Sequence, residues 1–363
     1  EGGVLPEHIF GKVPFDQWRK HDFSQDRVFS GPFMLKEWRR QESIILEPNP
    51  KYAHSGLPAL KTVVFQVVPD QTALLTQFLS HSVDLMEVIP PRDVEKVKKD
   101  PQLELAAYPD RQYVFVGWNL KQPFLKSKEV RRALSHAINA QEIVDSVWYG
   151  YAVPAVGPVH SSLWAFNRNL KPFPFDPAKA KAMLKEQGFA DTNGDGVLEK
   201  EGKGFELEVL TNKGNAIREA TLIMVQSQLA QVGVKIIPKP IEWNVFLQKL
   251  IGKDFDACVQ GWRVATKVDL KEIWHSQAIN EGLNIVSYSN PKVDALIEKA
   301  RDVEDYREAK AALDEMQALI VEDQPFTFLY ENQRLNGLNK RVRNARMNVL
   351  STFYNLQEWT VAD

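Results

Sequence analysis

Apolar positions along the chain alternate between a period of two and a period near 3.6, and the order of these stretches predicts an α/β protein. Phe33-Met34-Leu35-Lys36-Glu37-Trp38 and Ser43-Ile44-Ile45-Leu46-Glu47 flank the polar residues 39–42, the pattern of a β-hairpin punctuated at its start by Gly31-Pro32. A strand over 61–68, a helix over 71–80 with Leu74, Leu75 and Phe78 on one face, and a short apolar run over 83–88 follow, and together they predict a βαβ unit. Pro90-Pro91 closes it, ahead of a short polar helix over 94–99 and a strand over 112–118.

The second block opens at Ser127, an expected N-cap for a helix carrying Val130, Ala133, Leu134, Ala137 and Ile138. Asp176-Pro177 and Gly188 bracket another helix, with proline at its first turn and glycine past its end. Strand 205–210, helix 216–232, strand 234–238, helix 243–251 and strand 255–260 then alternate, which argues for a parallel, doubly wound sheet. Helices over 292–300 and 306–321 and a strand over 326–330 complete the pattern, and a basic loop over 340–346 leads to a tail ending near Trp359.

Composition narrows the function more than the fold. At 363 residues there is length for about two domains. The 45 basic and 47 acidic residues leave a formal charge of −2, too little field to hold nucleic acid or an anionic membrane surface. Cys258 stands alone, so no internal disulfide or thiolate cluster can form. No apolar run of about 18 residues is present, and residues 1–30 lack a signal-peptide pattern, so a chain starting at Glu1 is expected to have been trimmed.

No dinucleotide, phosphate-loop, zinc-protease, nucleophile-elbow or C-x-x-C motif occurs. His8, His21, His54, His81, His136, His160 and His275 are scattered, so catalytic residues, metal ligands and cofactors are all read as none. Asp191, Asn193, Asp195 and Gly196 echo a calcium loop, but Gly202 stands where its closing glutamate would be, and a hairpin turn is the reading preferred.

Eight segments in one order give the chain a resemblance. They are Ser30-Gly31-Pro32-Phe33-Met34-Leu35, Asn49-Pro50-Lys51-Tyr52, Trp118-Asn119-Leu120, Val130-Arg131-Arg132-Ala133-Leu134, Gly150-Tyr151-Ala152, Phe175-Asp176-Pro177-Ala178-Lys179-Ala180, Gly261-Trp262 and Tyr288-Ser289-Asn290-Pro291-Lys292-Val293-Asp294. From about Leu5 to Trp359 the chain resembles the extracellular solute-binding proteins of family 5, the dipeptide, oligopeptide and nickel receptors of ABC importers. The resemblance implies a two-lobed, type II periplasmic-binding-protein-like fold with doubly wound sheets. Residues 1–111 would belong to lobe I, 112–327 to lobe II, and 328–363 would return to lobe I. Family members carry a long segment ahead of the region matching Leu5, so the first lobe is expected to be incomplete and the chain a C-terminal fragment or processed product.

The implied function is capture of a peptide or similar small solute in an interlobe cleft for the membrane subunits of an importer. The protein would be a monomer without enzymatic activity, periplasmic or extracellular, with anchoring to the membrane through a missing N-terminus left open. A ligand sensor in a cytoplasmic regulator and a hydrolase using cleft carboxylates stay open as alternatives. In similar receptors the main chain at the glycine, the tryptophan and the next residue pairs with an extended ligand, which carries over to Gly261, Trp262 and Arg263. Trp118, Asn119 and Asn284 join the expected ligand-binding set, whereas Trp243 and Trp274 are assigned to the core and Arg131 and Arg132 to a helix face with salt-bridge or solvent roles. Similar peptide receptors place an aspartate three residues after the tryptophan to hold the ligand's ammonium, and Ala265 stands there. Asp269 is the nearest substitute; an N-blocked peptide, a sugar, a nickel chelate or another solute is the alternative.

Overall fold

In the computed structural model, which describes residues 6–18, 20, 28–265 and 268–362, the apolar runs around Trp38 and Ile44 fold back on each other as β1 (Phe33–Arg39) and β2 (Ser43–Pro48). Trp38 stands opposite Ile44, and β3 (Val63–Gln66) extends this antiparallel sheet with Phe65 opposite Ile44. The carboxylate of Asp70 accepts the Ala73 N–H at 2.6 Å, capping α1 (Gln71–Leu79), which buries Leu75 and Phe78. The short β4 (Leu85–Met86) and α2 (Val94–Lys99) follow. The βαβ unit expected here does not form: among the described residues β3 pairs only with β2, and β4 pairs antiparallel with a strand near the end of the chain. Local periodicity identifies a strand but not its partner.

The chain divides into two compact units: the described residues up to Ala106 together with those from Leu335 onward, and Ala107–Arg334. It passes from the first to the second within β5 (Leu103–Trp118). In the second unit α3 (Lys128–His136) is capped by Ser127, and Asn139, accepting the Glu142 N–H at 3.1 Å, starts a helix that the sequence pattern did not separate, α4 (Ala140–Trp148). Then come β6 (Ala152–Pro154), α5 (Pro177–Glu186) capped by Asp176, and the small hairpin of β7 (Glu199–Lys200) and β8 (Lys203–Gly204). The longer elements that follow are β9 (Glu206–Asn212), α6 (Ala216–Ala230), β10 (Lys235–Ile241), α7 (Trp243–Gly252), β11 (Ala257–Arg263), α8 (Pro291–Asp302), α9 (Tyr306–Asp323) and β12 (Phe326–Asn339).

The sheet of the second unit runs β10-β9-β11-β5-β12, with β6 on β12. It is mixed rather than wholly parallel: β9 is parallel to β10 and β11, while β11 and β5 are antiparallel. β5 enters without the helical crossover that parallel pairing requires. Both faces are buried, one by Val114, Val116, Leu222 and Val259, the other by Phe115, Phe246, Trp274 and Met316. Phe115 stacks on Phe326 with ring centroids 3.7 Å apart.

Two assignments change. Trp243, expected in the core, is 43% exposed. Arg131, expected on a solvated face, is buried, and its guanidinium donates to the carbonyls of Leu125, Lys126, Asp323 and Gln324. Arg132 does pair with Glu322 at 2.5 Å, and Trp274 is fully buried.

β12 carries the chain back to the first unit, where Gly337 stands opposite Met86 and Leu338 opposite Leu85. A β-carbon at Gly337 would lie 2.5 Å from the Phe78 ring, so that approach needs glycine. β13 (Val342–Arg343) and β14 (Thr360–Val361) pair beside Trp359, which packs with Leu338 and Val342. Among the described residues no helix is long and apolar enough to cross a membrane.

Candidate functional site

β11 begins between two strands and ends beside one. Ala257 and Cys258 pair with β9, and all seven residues to Arg263 pair with β5. β9 stops at Asn212 because Gly214, at φ 89°, turns the chain into α6, whose N-cap is Asn215. Val264 N–H bonds Arg111 C=O at 2.7 Å, which fixes the phase of the β11–β5 ladder. Main-chain groups alternate in direction along an antiparallel strand, so those of Gly261 and Arg263 point away from β5. Thr211 Oγ1 donates to the Val259 carbonyl at 3.2 Å on that side. Beyond it, among the described residues, no strand covers the edge.

Side chains around this edge are set by the same register. Trp262 is half-buried opposite Tyr113 and packs on the aromatic core of that face. The Trp262 Nε1–H and the Tyr113 hydroxyl are both shielded and have no hydrogen-bond partner among the described residues. Burial pushes the Tyr113 hydroxyl well above the usual phenol range. The Arg263 side chain pairs with a carboxylate of the protein itself: both oxygens of Asp110 accept from it, at 2.5 and 2.9 Å.

Arg218, on the first turn of α6, reaches the same edge. Its Nη1 donates to Asn212 Oδ1 at 2.8 Å and to Gln260 Oε1 at 2.9 Å. A β-carbon on Gly261 would lie 3.0 Å from both Arg218 Nη2 and Gln112 Nε2, so the absence of a side chain lets the guanidinium approach the strand. Burial lowers the pKa of Arg218. Arg218, Asp110, Gln112 and Tyr113 were not foreseen, because only the ladder register brings them to Gly261.

The other expected residues are buried and bonded within the protein. Trp118 is fully buried and donates from Nε1 to Thr327 Oγ1 at 2.9 Å. Asn119 donates to the carbonyls of Lys253 and Phe255 at 3.1 and 2.6 Å, tying β5 to the turn before β11. Asn284 donates to the carbonyls of His275 and Tyr288 and accepts the Tyr288 N–H at 3.0 Å. Gly261, Trp262 and Arg263 thus lie along the edge of β11, and Trp118, Asn119 and Asn284 lie away from it in the interior. Ala265 is exposed, and Asp269 faces Arg301 Nε at 3.3 Å and accepts the Lys271 N–H.

Two further clusters of ionisable groups lie in the second unit. Asp191, Asp195 and Glu199 bring carboxylate oxygens within 4.8 Å of one another on the surface, a set able to hold a cation. The same oxygens accept N–H groups of Gly194, Gly196, Val197 and Thr192, as an Asp/Asn turn requires. In the interior, Glu331 accepts from the N–H and hydroxyl of Ser161, with His160 Nε2 at 3.5 Å. Burial pushes the Glu331 carboxyl up to about 6 and the His160 imidazole down to about 4.

With this geometry in view, comparisons with known proteins are informative. The profile described as bacterial extracellular solute-binding proteins, family 5 Middle, matches residues 3–277. The chain is similar to the oligopeptide-binding protein AppA of Bacillus subtilis, at 34% identity over 364 residues, covering 99% of this chain and 67% of AppA. It is 27% identical to the glutathione-binding protein GsiB of Salmonella typhimurium, covering 87% of this chain and 61% of GsiB, so it spans about three fifths of that relative's length. The structure of Bacillus subtilis AppA in complex with a nonapeptide matches with a TM-score of 0.85 at 33% identity, covering 99% of this chain and 72% of that one.

Proposed function

The chain belongs to the bacterial extracellular solute-binding proteins of family 5, and on that premise we propose that it binds a peptide-like solute along the open edge of β11 and delivers it to an ABC importer. The observation that carries this reading is the uncovered edge from Gly261 to Arg263. An extended peptide laid beside it gains main-chain hydrogen bonds that do not depend on side-chain identity. Trp262 supplies a partly exposed aromatic surface with an unpartnered indole N–H next to those groups.

The names of its relatives support the choice of solute: AppA is an oligopeptide-binding protein and GsiB a glutathione-binding protein. The family consists of binding proteins, so the solute is released unchanged. The importer's membrane subunits are the partners in this reading, and the working compartment lies outside the cytoplasm. A membrane anchor is compatible with it, and the receptor acts as a monomer.

Mass spectrometry of solutes released by denaturing the full-length protein from its native host tests the proposal. Recovery of intact short peptides is expected. Recovery of no peptide, together with absence of calorimetric heat on titration with di- to nonapeptides, would reject it.

A further inference from the structure

We propose that Pro238 and Pro240 keep the outer edge of β10 from pairing with a second copy of the chain. The inference concerns β10 and not β11, and it holds whichever solute is bound. Strand order puts β10 at the margin of the sheet, and among the described residues β9 is its sole strand neighbour.

The register fixes which main-chain groups face outward. Lys235 N–H bonds the Phe205 carbonyl at 3.0 Å, and the Ile241 carbonyl accepts the Lys213 N–H at 2.7 Å, so the odd-numbered residues of β10 face β9. Ile236, Pro238 and Pro240 therefore turn their main-chain groups away from the sheet. Gln226 Nε2 already donates to the Ile236 carbonyl at 2.9 Å. Proline has no N–H, and its ring stands where the carbonyl of an added strand would approach. Such a strand would find no donor at position 238 or at position 240.

Other features of β10 favour pairing and leave the prolines to oppose it. It runs for seven residues, whereas β6, on the far side of β12, spans three. A long bare edge is a template for another chain, and Ile236, Ile237 and Ile241 give it a β-branched composition. Charge does not protect it either: Lys235 and Lys239 pair with Glu206 and Glu208 of β9 at 3.1 and 3.3 Å, which cancels their repulsion of a like strand.

The test compares the unmodified full-length protein with P238T/P240T, which restores both outward N–H groups with a strand-favouring residue that adds little apolar surface. Light scattering at rising concentration should find the unmodified protein monomeric and the variant associating at least roughly tenfold more strongly. Hydrogen exchange locates the contact, since the new amides at positions 238 and 240 should become protected only as association proceeds. A folded variant that stays monomeric overturns the inference, as does one that associates while those two amides exchange freely, or an unmodified protein that dimerises through β10. Should P238T/P240T fail to fold, P240T alone decides, because Pro240 is exposed and its ring is not part of the core. P240T should associate in the same sense with protection at position 240, and a monomeric P240T overturns the inference.

Discussion

Two arginines in one unit, Arg131 buried and Arg218 half-buried, differ in how completely the fold uses their charge. Arg131 lies where α3 meets the end of α9, and it saturates the carbonyls of Leu125, Lys126, Asp323 and Gln324. Burial lowers its pKa to about 10, yet the charge is kept because those carbonyls solvate it. Arg218 lies where β9 ends before β11 does, and among the described residues its guanidinium bonds Asn212 and Gln260. A cation saturated by its own chain is a brace; one bonded to two neutral side chains contributes less to the fold.

The largest effect expected from this contrast is on Arg131→Ala, which strands buried carbonyls at the α3–α9 junction and should cost about 3–5 kcal/mol of stability. Denaturant midpoints measure it, and a loss below about 1 kcal/mol would remove the distinction between the two arginines. Trp262→Ala should weaken solute binding by about 1–3 kcal/mol while leaving the unfolding midpoint nearly unchanged. Calorimetry on the full-length protein reads the first and denaturation the second.

The interior pair Glu331 and His160 sharpens the comparison from the acidic side. Their 3.5 Å separation is too long for a hydrogen bond, so burial governs both groups. Glu331 is raised to about 6 from 4.5, so the folded state favours the protonated form; stability is greatest below the lower value and is lost as pH rises to the upper. His160, lowered to about 4 from 6.5, acts oppositely, since the unfolded chain takes up a proton that the folded chain refuses as pH falls. Glu331→Gln should therefore stabilise by about 1–2 kcal/mol near neutral pH and uncover a stability that climbs steadily as acid is removed toward pH 6.5. Unfolding curves across this range check both the sign and the size. The smallest expected effect is on Arg218→Gln without ligand, about 1 kcal/mol in stability, since two part-buried hydrogen bonds to neutral side chains are lost while the desolvation of a charge is relieved.

Much of the secondary structure was legible because its causes are local. Ser127, Asp176 and Asn215 sit three positions before the amides they accept, and the helices begin after them. The α2 range of Val94–Lys99 matches the polar periodicity of that stretch. Asn139 shows the limit of the same reasoning: an apolar rhythm continuing to Ile138 concealed the break at which α4 starts. Of the proposed site, Gly261 and Trp262 were expected through the resemblance at the end of a strand pattern. Asp110, Tyr113 and Arg218 were not, because nothing in their own neighbourhoods distinguishes them from ordinary strand and helix residues.

Local sequence therefore determined which segments become helices and strands, where they are capped, and which faces are apolar, since these depend on neighbours within a few residues. Tertiary structure alone decided that β3 and β4 lie in different sheets, that β11 runs antiparallel to β5, and that the edge at Gly261 is uncovered. Strand pairing joins groups far apart in the chain, and an edge is open or closed according to where a neighbouring strand stops. Here β9 stops at Asn212, and that single termination creates both the free main chain of β11 and the space into which Arg218 reaches.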